Sequence, residues 1–190
     1  MKEEGDDMPH VCPWWIGIFL ASPIRLWFED PDKLLSGYVR EGMTVLEPGP
    51  GMGFFTLPMA KMVGPRGKVI AVDLQPKMLE GVRRRAERAG VLDRIELRKA
   101  TPDSLEVDDL RGSVDLIVAI YVVHEMPSEE VFFRQAAVTL KRGGSLLLIE
   151  PRGHVKPEKF SHELHSAFDA GLAISERVMG ARSPTVLLAK

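Results

Sequence analysis

The chain has 190 residues, of which 45% are hydrophobic and 27% are charged, and its formal net charge is -2 at pH 7. This composition is that of a globular protein and excludes a collagen-like chain, an intrinsically disordered chain and a disulfide scaffold. Lysine and arginine total 25 against 27 for aspartate and glutamate, so the basic surplus typical of a nucleic-acid-binding protein is absent.

Three features of the amino-terminal segment favour a cytoplasmic chain without a membrane span. Cys12 is the single cysteine and cannot form an internal disulfide, which is typical of a reducing compartment. The longest uncharged stretch, residues 11–24, is shorter than the ~20 residues that a membrane-spanning helix needs, and two prolines interrupt it. The first ten residues carry four acidic side chains and one lysine, so they lack the positive start of a secretory signal.

Hydrophobic periodicity predicts short helices first and a strand–helix alternation after residue 43. Helices are predicted, in chain order, at 14–20, 24–28, 31–39, 54–63, 76–89, 127–140 and 156–171. Strands are predicted at 44–46, 68–73, 94–98, 114–118, 145–149, 172–178 and 184–188. The last two strands are close together in sequence, which predicts a hairpin and therefore an antiparallel last strand.

Continuous apolar strands that alternate with amphipathic helices indicate a parallel sheet with helices on both faces. We therefore predict an α/β fold with a doubly wound, mostly parallel seven-stranded sheet, an antiparallel last strand and an N-terminal helical extension. The chain is expected to divide into an N-terminal tail and helical lid at 1–40 and one main domain at 41–190.

The most specific motif follows the first predicted strand, where Gly49, Gly51 and Gly53 form a G-x-G-x-G turn. Glycines there let a ligand approach the backbone, and the next helix offers unpaired N–H groups to an anion. Glu47 precedes the glycines and suits a ligand that carries a cation, as the amino-acid end of S-adenosylmethionine does. Asp73 closes the second strand and can accept both hydrogen bonds of a ribose diol. The alternatives are an ordinary tight turn for the glycines and a helix N-cap for Asp73.

With these residues, the stretch 43–151 resembles the class I S-adenosylmethionine-dependent methyltransferases, in the small single-domain group near the quinone-biosynthesis and arsenite methyltransferases. The resemblance rests on the glycine motif, the strands at 69–73 and 114–118, and the turn and strand at 140–148. It implies a Rossmann-like methyltransferase fold, with S-adenosylmethionine as the cofactor and 41–190 as the domain that binds it. The residues that it implies for the cofactor site are Glu47, Gly49, Gly51, Gly53, Asp73, Leu74, Ala100, Thr101, Ala119 and Ile120.

Residues after the fourth and fifth strands are the candidates for the methyl-acceptor side. We expect Tyr121 and His124 to be catalytic: Tyr121 packs on the sulfonium, and His124 orients or deprotonates the acceptor. Glu150 and His154 follow the fifth strand at the same edge and are expected on the pocket floor. The alternatives are structural, and for His124 they are a cap on the next helix or a hydrogen bond to the backbone.

Trp14 and Trp15 are expected to roof the acceptor pocket, because no sizeable insertion between the first and fifth strands supplies a lid. The alternative is a helix packed on the sheet edge. His162 and His165, with His154 upstream, lack the H-E-x-x-H spacing of a zinc site. We therefore expect a solvated helix face there and no metal.

The predicted function is methyl transfer from S-adenosylmethionine to a small-molecule acceptor. The alternative is a non-catalytic S-adenosylmethionine-binding module or partner subunit. The arginines at 83–85 lie near Glu80, which favours a solvated helix face over an RNA-binding one. No nucleic-acid partner is therefore expected, and a homodimer is left open.

Overall fold

A seven-stranded β-sheet is the framework of the computed structural model, which describes residues 30–178 and 182–190. Its strands are β1 (Thr44–Pro48), β2 (Lys68–Asp73), β3 (Ile95–Lys99), β4 (Val114–Ile120), β5 (Leu140–Ile149), β6 (Ala173–Arg177) and β7 (Thr185–Ala189). The strand order is β3-β2-β1-β4-β5-β7-β6. The predicted seven-stranded, mostly parallel sheet with an antiparallel last strand is confirmed.

Five α-helices belong to the described part of the chain. They are α1 (Pro31–Leu35), α2 (Thr56–Met62), α3 (Pro76–Ala89), α4 (Glu129–Thr139) and α5 (Pro157–Asp169). The predicted helices at 14–20 and 24–28 lie outside the described residues, so the N-terminal extension is represented only by α1. None of the helices within 30–178 and 182–190 combines the length and apolar character needed to cross a lipid bilayer.

The chain divides into two units, with the boundary after Ala100. In the first unit, β1 pairs in parallel with β2, and β2 pairs in parallel with β3. In β1 and β2 the apolar side chains are nearly fully buried, as Leu46 and Ile70 are in their paired register, whereas most of β3 is only partly buried. Helix α3 ends at Gly90, whose left-handed conformation (φ 67°) lets its N–H bond back to the last turn.

In the second unit, β4 pairs in parallel with β5, and β7 is antiparallel to both β5 and β6. Strand β5 begins at Leu140, whereas the sequence predicts a helix up to that residue and a strand only from 145. The earlier start has a packing reason, because Leu140 pairs with Val114 and both side chains are fully buried. A register shift between Val114 and Leu116 accommodates the extra residues before Ser145.

Candidate active site

The glycine loop after β1 leaves open space at one position and is tightly packed at another. The Gly49 N–H donates to the Val72 carbonyl at 2.9 Å, which ties the loop to β2. Among the described residues, a Cβ atom at Gly51 (φ 53°) would meet no atom within 4 Å, so this side of the loop has room for a ligand. At Gly53 the left-handed backbone (φ 86°) disfavours any side chain, and a Cβ would lie 2.8 Å from Leu57 Cδ1, which would have to move.

Glu47 lies at the end of β1 as a buried acid, and none of the described residues supplies it with a matching cation. Its side chain is 3% exposed, and its Oε2 has no hydrogen-bond partner in the described part of the chain. The pKa of Glu47 is raised to about 8. Burial is the largest cause and the charge of Asp73 adds to the rise, while the nearby Thr56 hydroxyl opposes it. The carboxyl group is therefore mostly neutral at pH 7, and a cationic ligand would favour its ionisation.

The raised pKa of Glu47 predicts an effect on stability. Since its pKa is about 8 in the folded chain and its ordinary value is 4.5, the folded state retains a proton that the unfolded state releases between these values. The stabilisation is complete below pH 4.5 and is lost as the pH rises through 8. The free energy of unfolding of the wild-type chain should therefore fall between about pH 5 and about pH 8. In Glu47→Gln we expect this fall to be smaller by roughly 3 kcal/mol.

Urea unfolding at both pH values measures this difference, and Glu87→Gln, a charge change at an exposed position on α3, is the matched control. Equal pH dependence in wild-type chain and Glu47→Gln would contradict the assignment of a shifted pKa to Glu47.

Asp73, at the end of β2, holds the chain in a turn before α3. Its Oδ1 accepts the Gln75 N–H at 2.8 Å, and its carbonyl accepts the Ala100 N–H at 3.0 Å. The N-cap of α3 is Gln75, so the alternative role for Asp73, that of the helix N-cap, is wrong. Asp73 ends β2, Leu74 follows it and Ala100 follows β3; Asp73 and Leu74 are partly buried, and Ala100 is 5% exposed.

Arg85 supports the glycine loop, which the sequence analysis did not predict. Its Nη1 donates to the Met52 carbonyl at 2.7 Å, and burial lowers the pKa of its guanidinium. Arg83 and Arg84 pair with Glu80 on the exposed face, so the predicted solvated face holds for them and not for Arg85. The helical spacing could have indicated this inward position, since Arg85 follows the buried Met78 by seven residues and therefore lies on the same side of α3.

In the second unit, the chain turns sharply after β4 at Tyr121. Tyr121 has a left-handed backbone (φ 57°), which is uncommon for a residue other than glycine, and its N–H donates to the Ile149 carbonyl at 2.8 Å. Ala119 and Ile120, just before it, are buried in the sheet. Thr101, the other predicted cofactor residue of this unit, is exposed in a turn closed by Ser104.

His124 and Glu150 form a buried pair at the ends of β4 and β5. His124 Nδ1 lies 2.5 Å from Glu150 Oε2, and the His124 backbone N–H lies 3.3 Å from Oε1. The side chains are 10% and 0% exposed. Burial alone would lower the pKa of His124, but the hydrogen bond to Glu150 and the charges of Glu150, Glu125 and Glu163 raise it above its ordinary value. Helix α4 is capped by Ser128, so His124 does not have the capping role.

An open cleft of about 420 Å³ lies beside this pair. His154 packs edge-on against His124, with ring centroids 5.1 Å apart. The cleft is lined by His124, His154, Val155, Lys156, Glu158 and Lys159. The structure thus brings together three predicted acceptor-side residues, His124, Glu150 and His154, whereas Trp14 and Trp15 lie outside the described residues.

Helix α5 adds acidic and basic groups that the sequence analysis did not assign to the site. Lys159 and His162 both contact the carboxylate of Glu129, which is 4% exposed. His162 is thus partnered through an acid of α4 rather than only solvated, while His165 bonds the Ser161 carbonyl at 2.7 Å. Because Lys159 already contacts one oxygen of Glu129, we interpret Glu129, Lys159 and His162 as an ion-pair cluster.

Comparison with known proteins identifies the family. A family profile described as a methyltransferase domain matches residues 45–144. The ubiquinone/menaquinone biosynthesis C-methyltransferase UbiE of Salmonella arizonae is 33% identical over 112 residues, which are 59% of this chain and 44% of that protein. The chain therefore spans less than half the length of the curated relatives it matches.

Two solved structures extend the comparison. A SAM dependent methyltransferase from Aquifex aeolicus superposes with a TM-score of 0.81 and 26% identity, over 94% of this chain and 98% of that one. TrmN from Thermus thermophilus has a TM-score of 0.65 and 27% identity, over 84% of this chain and 48% of that one. These matches confirm the predicted fold and the predicted cofactor, S-adenosylmethionine. The chain belongs to the methyltransferase domain family, within the class I S-adenosylmethionine-dependent methyltransferases.

Proposed function

We propose that the chain transfers a methyl group from S-adenosylmethionine to a small acceptor with an ionisable hydroxyl group, and that His124 takes up the acceptor's proton. The observation that carries this proposal is the buried His124–Glu150 pair, of which His124 lines an open cleft. The relative from Salmonella arizonae is named for C-methylation in quinone biosynthesis, which favours a hydroxylated aromatic ring as the acceptor.

The proposed cofactor site draws on residues of the first unit. Glu47, buried and with no cation among the described residues, would bind the ammonium of the methionine moiety, and the open side of Gly51 would leave room for it. Asp73 would accept the ribose hydroxyls, with Leu74 and Ala100 toward the adenine. When bound, S-adenosylmethionine supplies a methyl group on a sulfonium sulfur.

The second unit supplies a base. A carboxylate only accepts hydrogen bonds, so Glu150 Oε2 favours the tautomer in which His124 Nδ1 carries the hydrogen. His124 Nε2 is then the nitrogen that can take a proton from an acceptor. Glu150 stabilises the resulting imidazolium, and general-base help of this kind contributes typically ~10²–10⁴-fold to a rate. Tyr121, whose strained backbone turns the chain beside this pair, would contact the sulfonium.

Residues 1–40 act in this proposal as an acceptor lid on the domain at 41–190. We expect Trp14→Leu and Trp15→Leu, made singly, to reduce turnover about tenfold or more, because a broad aromatic face no longer excludes water from the acceptor. Melting temperature and cofactor affinity should stay near the wild-type values. If both substitutions instead lower the melting temperature and leave turnover per folded molecule intact, the segment is structural and has no lid role.

A transfer assay tests the proposal. The purified full chain is incubated with S-adenosylmethionine labelled on the methyl group and with a panel of small hydroxylated aromatic compounds. Label that moves to an acceptor, and does so far more slowly with His124→Ala, supports the proposal. Cofactor binding with no transfer to any acceptor favours a non-catalytic binding module, while full activity of His124→Ala removes His124 as the base.

A further inference from the structure

The open cleft of about 420 Å³ beside His124 contains a lysine in its lining that the proposed reaction does not use. Two other basic groups of the lining already face an acid, since His124 pairs with Glu150 and Lys159 pairs with Glu129. The ammonium of Lys156 has no hydrogen-bond or ion-pair partner among residues 30–178 and 182–190. Lys156 is therefore the cation of this lining that is available to a ligand.

His154 adds a hydrogen-bond donor to the same lining. Its ring packs edge-on against His124, and neither of its ring nitrogens has a hydrogen-bond partner in the described part of the chain. A neutral imidazole carries one N–H donor, and a protonated imidazole carries two. His154 and Lys156 belong to one compact turn, in which the His154 and Val155 N–H groups donate to the Pro151 carbonyl at 3.2 and 3.1 Å. The turn thus presents two donors to one cleft.

The charges around these two donors favour an anionic ligand. Residues 151–156, Pro-Arg-Gly-His-Val-Lys, contain no acidic side chain, and Arg152 adds a second exposed cation. Glu158 is the acid of the lining, but it forms no ion pair with Lys156 in the described contacts. It lies in the first turn of α5, where an acidic side chain interacts favourably with the helix dipole. An anion at Lys156 and His154 therefore displaces no existing ion pair.

We propose that the methyl acceptor carries an anionic oxygen group, a carboxylate or a phosphate, which Lys156 and His154 bind while the hydroxyl group of the acceptor lies toward His124. The inference rests on the proposed function, because it names the class of acceptor for that same cleft. The volume of the cleft is within the range of small-molecule sites and suffices for one aromatic ring with an acidic substituent. A lysine ammonium binds either kind of anion as a point charge, so the probes have to distinguish them.

Calorimetric binding to the full chain, with the demethylated cofactor at saturation, tests the anion site without turnover. The probes are meta- and para-hydroxybenzoate, the corresponding hydroxyphenyl phosphates, and the neutral hydroxybenzamides, which keep the ring and the hydroxyl group. We expect an anionic probe to bind about tenfold or more tightly than its neutral amide, and the tighter of benzoate and phosphate identifies the anionic group. Equal binding of anionic and neutral probes, or no binding of any probe, overturns the proposal.

Lys156→Met and His154→Phe identify the donors, and the phenylalanine keeps a ring against His124 while it removes the N–H. Each variant should reduce the preference for the anionic probe about three- to tenfold and leave binding of the amide unchanged. Arg142→Met, which removes an exposed cation near the other end of β5, is the matched control and should bind all probes like the wild-type chain. A folded Lys156→Met chain that keeps the wild-type preference overturns the assignment of Lys156.

Two further variants separate this site from its alternatives. Glu158→Gln should bind the anionic probe about two- to fivefold more tightly, because it removes the acid of the lining; weaker binding would mean that the cleft prefers a cation.

Lys156→Met should bind the demethylated cofactor like the wild-type chain, and a loss there would assign Lys156 to the carboxylate of the cofactor and overturn the proposal. An anion preference in a chain that transfers no methyl group supports the anion site and contradicts only the proposed function. Transfer to neutral acceptors alone leaves the proposed function intact and overturns the anionic acceptor, so the two proposals fail independently.

Discussion

Asp73→Ala is expected to weaken binding of S-adenosylmethionine about 30- to 1,000-fold, because the ribose diol loses both of its acceptors at about 2–4 kcal/mol in total. Calorimetry with the cofactor or its demethylated product measures the loss. The substitution also removes the acceptor of the Gln75 N–H, so part of the effect could come from the turn before α3.

Asp73→Asn separates these two effects. An asparagine Oδ1 can still accept the Gln75 N–H, but its amide presents one acceptor where the ribose needs two. We expect a melting temperature near that of the wild-type chain together with most of the loss in affinity. Unchanged affinity in folded Asp73→Ala would remove Asp73 from the cofactor site.

His124→Ala is expected to lower kcat by ~10²–10⁴ and to leave cofactor affinity unchanged, since it removes the proposed base. Glu150→Gln keeps the volume of the buried side chain and removes the charge that stabilises the imidazolium, so it should also lower kcat. Because the two residues act as one unit, the double variant should be only as slow as His124→Ala.

The matched control is His165→Ala, at an exposed histidine on α5 that hydrogen-bonds the Ser161 carbonyl and lies beside the Phe168 ring. Turnover should be unaffected there. Effects of His124→Ala and Glu150→Gln that multiply in the double variant would mean that the pair does not act as a unit.

The elements that were predicted correctly have strong local signals. Mostly apolar runs such as 114–118, in which Asp115 is the one charged residue, identify buried strands, and Gly90 marks the end of α3 because a left-handed residue is needed there. The start of β5 could not be predicted in this way. Residues 141–144, Lys-Arg-Gly-Gly, have the composition of a turn, and only the long-range pairing of Leu140 with Val114 makes them part of a strand.

The site residues that were missed had signals of a different kind. Glu163 lies among Phe160, Leu164 and Ala167, at the spacing of one helix face, so its place on an apolar stripe could have been recognised. The charged groups that act on it, Glu150 and His124 among them, come from distant parts of the chain, and no spacing rule connects them. The sequence therefore supports the burial of Glu163, while the groups that surround it depend on tertiary structure.

The position of β7 in the sheet has a consequence for how the second unit assembles during synthesis. Strand β6 leaves the ribosome first, but its neighbour is β7, and β7 in turn pairs with β5. Residues 173–177 therefore have to wait as an unpaired strand, and long-range pairings of this kind form slowly. The Glu150 N–H donates to the Pro184 carbonyl at 3.0 Å, so the segment leading into β7 also holds the residue that pairs with His124. This bond can form only after residue 184 has been synthesised, when most of the parallel sheet has already emerged.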